Sequence, residues 1–192
     1  MLVCFLLLQP YAEWEAAYLA SALTGFGHQV RTASLRRAPV RSMGGFTLLP
    51  DCGLEDIPDR PEGLILVGGQ SWRSGGAKLV EPLVRRAFDR GAVVAAICDA
   101  AGFLGTIGLL NQRRHTCNDL ADLKRWAGER YMGETLFLPR QAVRDGTLVT
   151  ANGTAALEFA LETLLALDAA PEGDIRAWYQ FHKLGAVPPP GP

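Results

Sequence analysis

Apolar residues run in unbroken blocks rather than alternating at three places along the chain: "LVCFLLL" over 2–8, "EGLILVGG" over 62–69 and "AVVAAI" over 92–97. A strand with one wet face alternates, so a continuous block predicts a strand buried on both faces, as in a parallel sheet covered by helices. Helical patterns come after these blocks. In "AEWEAAYLASALTGFG" the residues Trp14, Ala17, Tyr18, Ser21 and Ala22 recur at helical spacing, with Gly25 and Gly27 as a stop. The stretch "AKLVEPLVRRAFDRG" over 77–91 predicts an amphipathic helix with Pro82 in its first turn or at a kink, and another helix is expected from about Ala100. "HQVRTASL" alternates as a single strand. Gly44-Gly45 in "VRSMGGFTLLPD" and Asp145-Gly146 in "QAVRDGTLVTAN" each predict a hairpin. "TAALEFALETLLAL" over 154–167 predicts a strong helix with Thr154 as its candidate N-cap. Together these elements predict an α/β fold: a doubly wound, mostly parallel sheet sandwiched by helices, of the flavodoxin-like type.

No repeat or low-complexity linker divides the chain, so residues 1–185 are expected to form a single domain, with 186–192, ending in "VPPPGP", as a disordered tail. At 192 residues and 48% hydrophobic the chain can bury a sizeable core. The formal net charge of −1 offers no field for capturing phosphates, and no nucleic-acid partner is expected. No apolar stretch approaches the ~20 residues that cross a bilayer, and no membrane partner is expected. The opening "MLVCFLLLQP" lacks a basic segment and an A-x-A site, and reads as a buried strand rather than a leader. Cys4, Cys52, Cys98 and Cys117 form no C-x-x-C pair and no zinc spacing with histidine. That pattern predicts free thiols in a reduced, cytoplasmic setting, with no metal and no cofactor.

In open α/β sheets, sites lie beyond the carboxyl ends of the strands, and three such ends carry chemistry: Glu15, Gly68-Gly69 and Cys98. Cys98, in "AVVAAICDAAGFLG", stands where a strand turns sharply into a helix. Such an elbow exposes a nucleophile and lets the helix N-terminus favour its thiolate. Glycines at 68 and 69 allow close backbone approach, so that an amide there and that of Asp99 could together hold an oxyanion. The competing readings are ordinary ones. A free cysteine is often a small buried hydrophobe, and Glu15 alone is a first-turn carboxylate complementing a helix dipole.

Taken together, "YAEWE" after the first strand, "LILVGGQSW" and "AAICDAAGFLG" resemble the DJ-1/PfpI superfamily of the class I glutamine amidotransferase-like fold, in order, over roughly residues 1–167. The resemblance implies Cys98 as the elbow cysteine, Gly69 and the Asp99 amide as the oxyanion hole, and Glu15 as the acidic partner, with Glu13 the competitor if the register slips. A protonated Glu15 would donate a hydrogen bond to the thiolate. The resemblance also departs from its pattern. PfpI-type proteases carry a histidine directly after the cysteine, whereas this chain carries Asp99, whose charge opposes a neighbouring thiolate unless Arg113, Arg114 or a neighbouring subunit offsets it.

The resemblance places His115, in "NQRRHTCND", near where other members hold a catalytic or site-lining histidine, against the alternative of a solvated loop residue; Arg114 and Cys117 border the same stretch. Cys117 reads as structural or as a second reactive thiol, and Cys4 and Cys52 as structural. Gly68, Trp72, Arg114, Cys117 and, more weakly, Trp14 are candidates to line the pocket. His28 reads as structural, and His182 is followed two residues later by Leu184 rather than by the glutamate of the glutaminase His-x-Glu motif.

The function implied is that of a cysteine-dependent hydrolase, amidotransferase-like or glyoxalase-like enzyme acting on a small carbonyl or amide substrate. The alternative is a non-catalytic stress-response or redox-sensing protein that oxidises the same cysteine reversibly. A homodimer is also implied by the resemblance.

Overall fold

The computed structural model of the chain describes residues 1–185, and the expectation for 186–192 lies outside the described residues. Six strands form one sheet. In chain order these are β1 (Leu2–Leu6), β2 (Gln29–Ala33), β5 (Gly63–Leu66), β6 (Val93–Ile97), β7 (Ala142–Asp145) and β8 (Leu148–Ala151), and β3 (Val40–Arg41) with β4 (Thr47–Leu48) makes a separate small hairpin. The helices are α1 (Glu13–Gly25), α2 (Glu81–Asp89), α3 (Asp99–Thr106), α4 (Leu120–Ala127), α5 (Ala156–Leu167) and α6 (Glu172–Leu184).

Spatial order in the sheet is β2-β1-β5-β6-β8-β7, with every pair parallel except β7 and β8. The chain runs outward from β1 to β2 and then returns to β5 on the other side. That reversal opens a crevice at the carboxyl ends of β1, β5 and β6.

Burial explains the unbroken apolar blocks. On one face Cys4, Leu6, Leu64, Leu66, Val94 and Ala96 pack with Leu83 and Val84 of α2, Leu104 of α3 and Leu123 of α4. On the other, Val3, Phe5, Ile65, Val67, Ala95 and Ile97 pack with Leu19 and Leu23 of α1, Phe159 and Leu164 of α5 and Ile175 of α6. Each fully buried large aliphatic or aromatic side chain contributes ~1.5–3 kcal/mol, so the central strands are the strongest part of the sheet.

Both predicted hairpins form, and Pro82 sits at the start of α2, where its missing N–H has no helical partner to lose. The helix begins at Glu81 rather than near Ala77 because residues 75–80 form a tighter 3-10 turn before it. The α1 helix is as expected, but of its spaced set Trp14 and Tyr18 are 46% and 39% exposed, and only Ala22 turns inward, with Glu15, Leu19 and Leu23. Thr154 does not cap α5. Ala155 holds that position, and the Thr154 hydroxyl instead donates to Asn152 Oδ1 at 2.7 Å. Helices α4 and α6 have no counterpart among the elements expected from the apolar pattern. The first starts at Asp119, whose carboxylate accepts from the Asp122 amide at 2.6 Å.

Candidate active site

Cys98 ends β6 and caps α3 with φ +62° and ψ −132°. A non-glycine residue in this region carries a strain of ~1–3 kcal/mol, sustained only because β6 and α3 are both held rigidly on either side. The turn lifts the half-buried thiol into a cavity of about 680 Å³, bordered also by Trp14, Glu15, Gly69, Asp99, Asn118 and Gly153.

Backbone lacking Cβ atoms makes this close assembly possible. A Cβ at Gly68 would stand 2.1 Å from Glu15 Oε2 and 2.6 Å from Cys98 Cβ. One at Gly153, in the loop after β8, would stand 3.0 Å from Cys98 Sγ and 3.1 Å from Glu15 Oε1. Two glycines from different strand ends therefore sandwich the thiol and the carboxyl.

Glu15 is 1% exposed, and its Oε2 has no hydrogen-bond partner among the described residues. Burial raises its pKa to about 7, against the downward pull of the neighbouring Cys98 thiol and Gly68 amide. Glu13 is not the partner of the thiol: its carboxylate is turned to the β3–β4 hairpin, accepting from the Gly44 amide at 3.2 Å.

Burial also pushes the Cys98 thiol up. Asn118 and the Asp99 amide pull it down, while the Glu15 and Asp99 carboxylates add to the rise. The helix N-terminus alone therefore does not depress this thiol, and its ionisation is tied to the protonation of Glu15.

Asn118 is a site residue that sequence reasoning did not single out. Its Nδ2 donates to Cys98 Sγ at 3.3 Å, and its Oδ1 accepts from the Gly153 amide at 2.8 Å. The second bond fixes the amide's orientation, so the group facing sulfur is a donor. No local signal marks Asn118. Gly153 had one: it lies just beyond a strand parallel to β6, and such strands deliver their ends to the same edge of the sheet.

Asp99 turns its side chain from the thiol. Arg73 grips it with two bonds, Nε to Oδ2 at 2.9 Å and Nη2 to Oδ1 at 3.1 Å, and also bonds Asp122. The guanidinium lies 4.5 Å over the Trp126 ring. The offsetting cation is thus Arg73, not Arg113 or Arg114. Arg114 is directed to Asp145, and Arg113 lies over Phe88. Gly69, at φ +135°, borders the cavity with an amide that makes no hydrogen bond among the described residues.

His115 is a correction. It is 0% exposed and does not border the cavity. Its Nδ1–H donates to the Arg113 carbonyl at 2.7 Å, which leaves Nε2 to accept from the Tyr131 hydroxyl at 2.7 Å. Both nitrogens are satisfied, and the loop is pinned further by the Thr116 amide donating to Thr150 Oγ1 on β8 at 2.9 Å.

Trp72 is a second correction. It is buried, donates from Nε1 to the Val67 carbonyl at 2.6 Å and packs on Phe103; the half-exposed Trp14 borders the cavity instead. Cys117 is buried with its thiol pushed to about 11 by burial, which makes it a poor nucleophile. His28 bonds the Ala169 carbonyl, and His182 lies exposed on α6.

Comparison with known proteins agrees with this fold. A model of the "DJ-1/PfpI family" matches residues 1–166. The uncharacterized protease YdeA of Bacillus subtilis is 40% identical over 94% of this chain and 90% of its own. A deglycase of Pyrococcus abyssi is 31% identical over 60% of this chain and 71% of its own. The crystal structure of a thiJ/pfpI family protein from Bacillus anthracis superposes with a TM-score of 0.91, at 29% identity over 97% of this chain and 92% of that one. With a doubly wound sheet, a cysteine elbow on β6 and a match spanning β1 to α5, the chain belongs to the DJ-1/PfpI family.

Proposed function

We infer that the chain is a cysteine-dependent enzyme acting on a small carbonyl or amide compound. The observation that carries this reading is the Cys98 thiol at a strained elbow beside a sealed carboxyl whose pKa of about 7 suits proton transfer near neutrality. Glu15 takes the thiol proton as sulfur attacks the electrophilic carbon. A C–S bond forms, the C=O π pair moves to oxygen, and the Gly69 and Asp99 amides receive the developing charge. With an aldehyde Glu15 then returns the proton to that oxygen, giving a neutral thiohemiacetal. With an amide it delivers the proton to the leaving nitrogen, the C–N bond breaks as the oxyanion re-forms the carbonyl, and water hydrolyses the Cys98 thioester left behind. Asn118 keeps the sulfur oriented throughout. Relatives named protease and deglycase support a hydrolytic outcome.

A second reading is favoured by one observation: no histidine borders the cavity among the described residues. A thiolate bonded by a protonated carboxyl also reduces peroxide, becoming a sulfenate as water leaves, which is the chemistry of a redox sensor.

The Cys98→Ser variant separates the two. Turnover of a panel of small aldehydes, amides and peptides, present in the parent and abolished in the variant, supports the enzyme. A parent that turns over nothing, yet gains oxygen at Cys98 by intact mass under dilute peroxide, replaces it with the sensor.

A further inference from the structure

The walls of the Cys98 cavity differ in charge from its floor. Around the mouth stand Trp14, Met43, Gln70, Asn118, Asn152 and Thr154, and no lysine, arginine or histidine borders the cavity among the described residues. Among the described residues its ionisable neighbours besides the thiol are Glu15 and Asp99. Arg73, the cation nearest through its pair with Asp99, is held by Asp99 and Asp122 and borders a different cleft with Trp126.

This arrangement matches one negative charge, the one that develops on the reacting oxygen. A substrate bearing a permanent carboxylate or phosphate would set a second beside Glu15 and the thiolate, with no counter-ion, and desolvating an unpaired anion is strongly unfavourable. Neutral hydrogen-bonding groups find partners. Gln70 is exposed and its carboxamide makes no hydrogen bond among the described residues, while the Thr154–Asn152–Gln141 chain, at 2.7 and 2.9 Å, holds a polar wall in place.

Resting on the reading of Cys98 as a reactive thiol, we propose that this cavity selects uncharged carbonyl compounds carrying hydroxyl or amide groups and excludes carboxylates and phosphates. Two alkylating probes of nearly equal size test it. Iodoacetamide is neutral and iodoacetate is an anion; with either, the sulfur forms a C–S bond and iodide leaves.

Rates at Cys98, tracked by intact mass with Cys98→Ser as the blank, are compared with those of 2-mercaptoethanol. The expected preference for iodoacetamide exceeds that of the small thiol by roughly tenfold or more. Gln70→Lys, which sets an ammonium at the mouth, is expected to narrow the preference by speeding iodoacetate alone. A preference equal to that of 2-mercaptoethanol overturns the proposal while leaving the reactive thiol intact. A Cys98 inert to both reagents overturns the reading beneath it, and the proposal with it.

Discussion

Glu15 and His115 are both sealed from solvent, at 1% and 0% exposed, and both are polar groups close to the carboxyl ends of the parallel strands. They differ in what they bond. Each nitrogen of His115 has a partner, Arg113 and Tyr131, whereas Glu15 Oε2 has none among the described residues. A satisfied buried group contributes to the fold, while an unsatisfied one costs stability and needs another reason to be there. On the function proposed above, that reason is proton exchange with Cys98, which would assign the carboxyl to the chemistry and leave the imidazole to the scaffold.

His115→Ala is the harshest challenge to that contrast. Removing the ring leaves a void and an unpaired Tyr131 hydroxyl, and unfolding in urea is expected to show a loss of about 3–5 kcal/mol. Cys98 in the folded fraction is expected to keep its iodoacetamide reactivity. Abolition of that reactivity in a folded variant would move His115 into the chemistry.

The two residues also differ in the sign of their pH effects. Burial holds the pKa of His115 below its ordinary 6.5, so as pH falls through that value the unfolded chain takes up a proton that the folded chain resists, and stability drops. Glu15 runs the other way. Its pKa rises from 4.5 to about 7, so the folded chain retains a proton that the unfolded one releases, and stability is lost as pH climbs through this window.

At about 1.4 kcal/mol per tenfold change in proton affinity, the Glu15 penalty reaches roughly 3 kcal/mol above neutrality. Glu15→Gln is expected to remove it, becoming more stable than the parent at about pH 8 and losing that advantage near pH 4.5, while the pH profile of Cys98 alkylation loses its inflection near 7. Denaturation curves that track the parent at both pH values would sink the assignment.

Tyr131→Phe sharpens the comparison with a smaller change. It strips one bond from His115 Nε2 without opening a cavity, and the melting experiment should register about 1–2 kcal/mol, with the Cys98 alkylation rate unaltered.

Legibility in the sequence depends on how locally each residue is specified. Gly68, Gly69 and Cys98 each stand at the end of an unbroken apolar block, where a parallel strand must deliver them to one edge of the sheet. Glu15 is legible because α1 begins directly after β1, although Trp14 and Tyr18 at the same helical spacing suggest the opposite face. Amphipathicity is weak in α1, where small alanines supply most of the sequence between the large residues.

Asn118 is illegible because it reaches the sulfur through a fold in the loop, tied down by Thr116 on Thr150 and by His115 beneath Tyr131. The resemblance implies His115 as a site-lining residue because it falls in the loop where other members hold a histidine, three positions from Asn118. Its side chain points into the core while that of Asn118 points out, a difference that pattern alone does not carry. Arg73 escapes notice for a similar reason: it meets Asp99 across two elements, 26 residues apart.

The sandwich of Gly68 and Gly153 around Cys98 and Glu15 divides this cavity into parts that drift at different speeds under mutation. Its floor is main chain with no room for a methyl group, so nearly any substitution there collides with the thiol or the carboxyl. The rim is made of exposed side chains such as Gln70 and Thr154, which tolerate replacement. Replacements at the rim are therefore expected to alter what enters the cavity while leaving the seating of Cys98 and Glu15 in place.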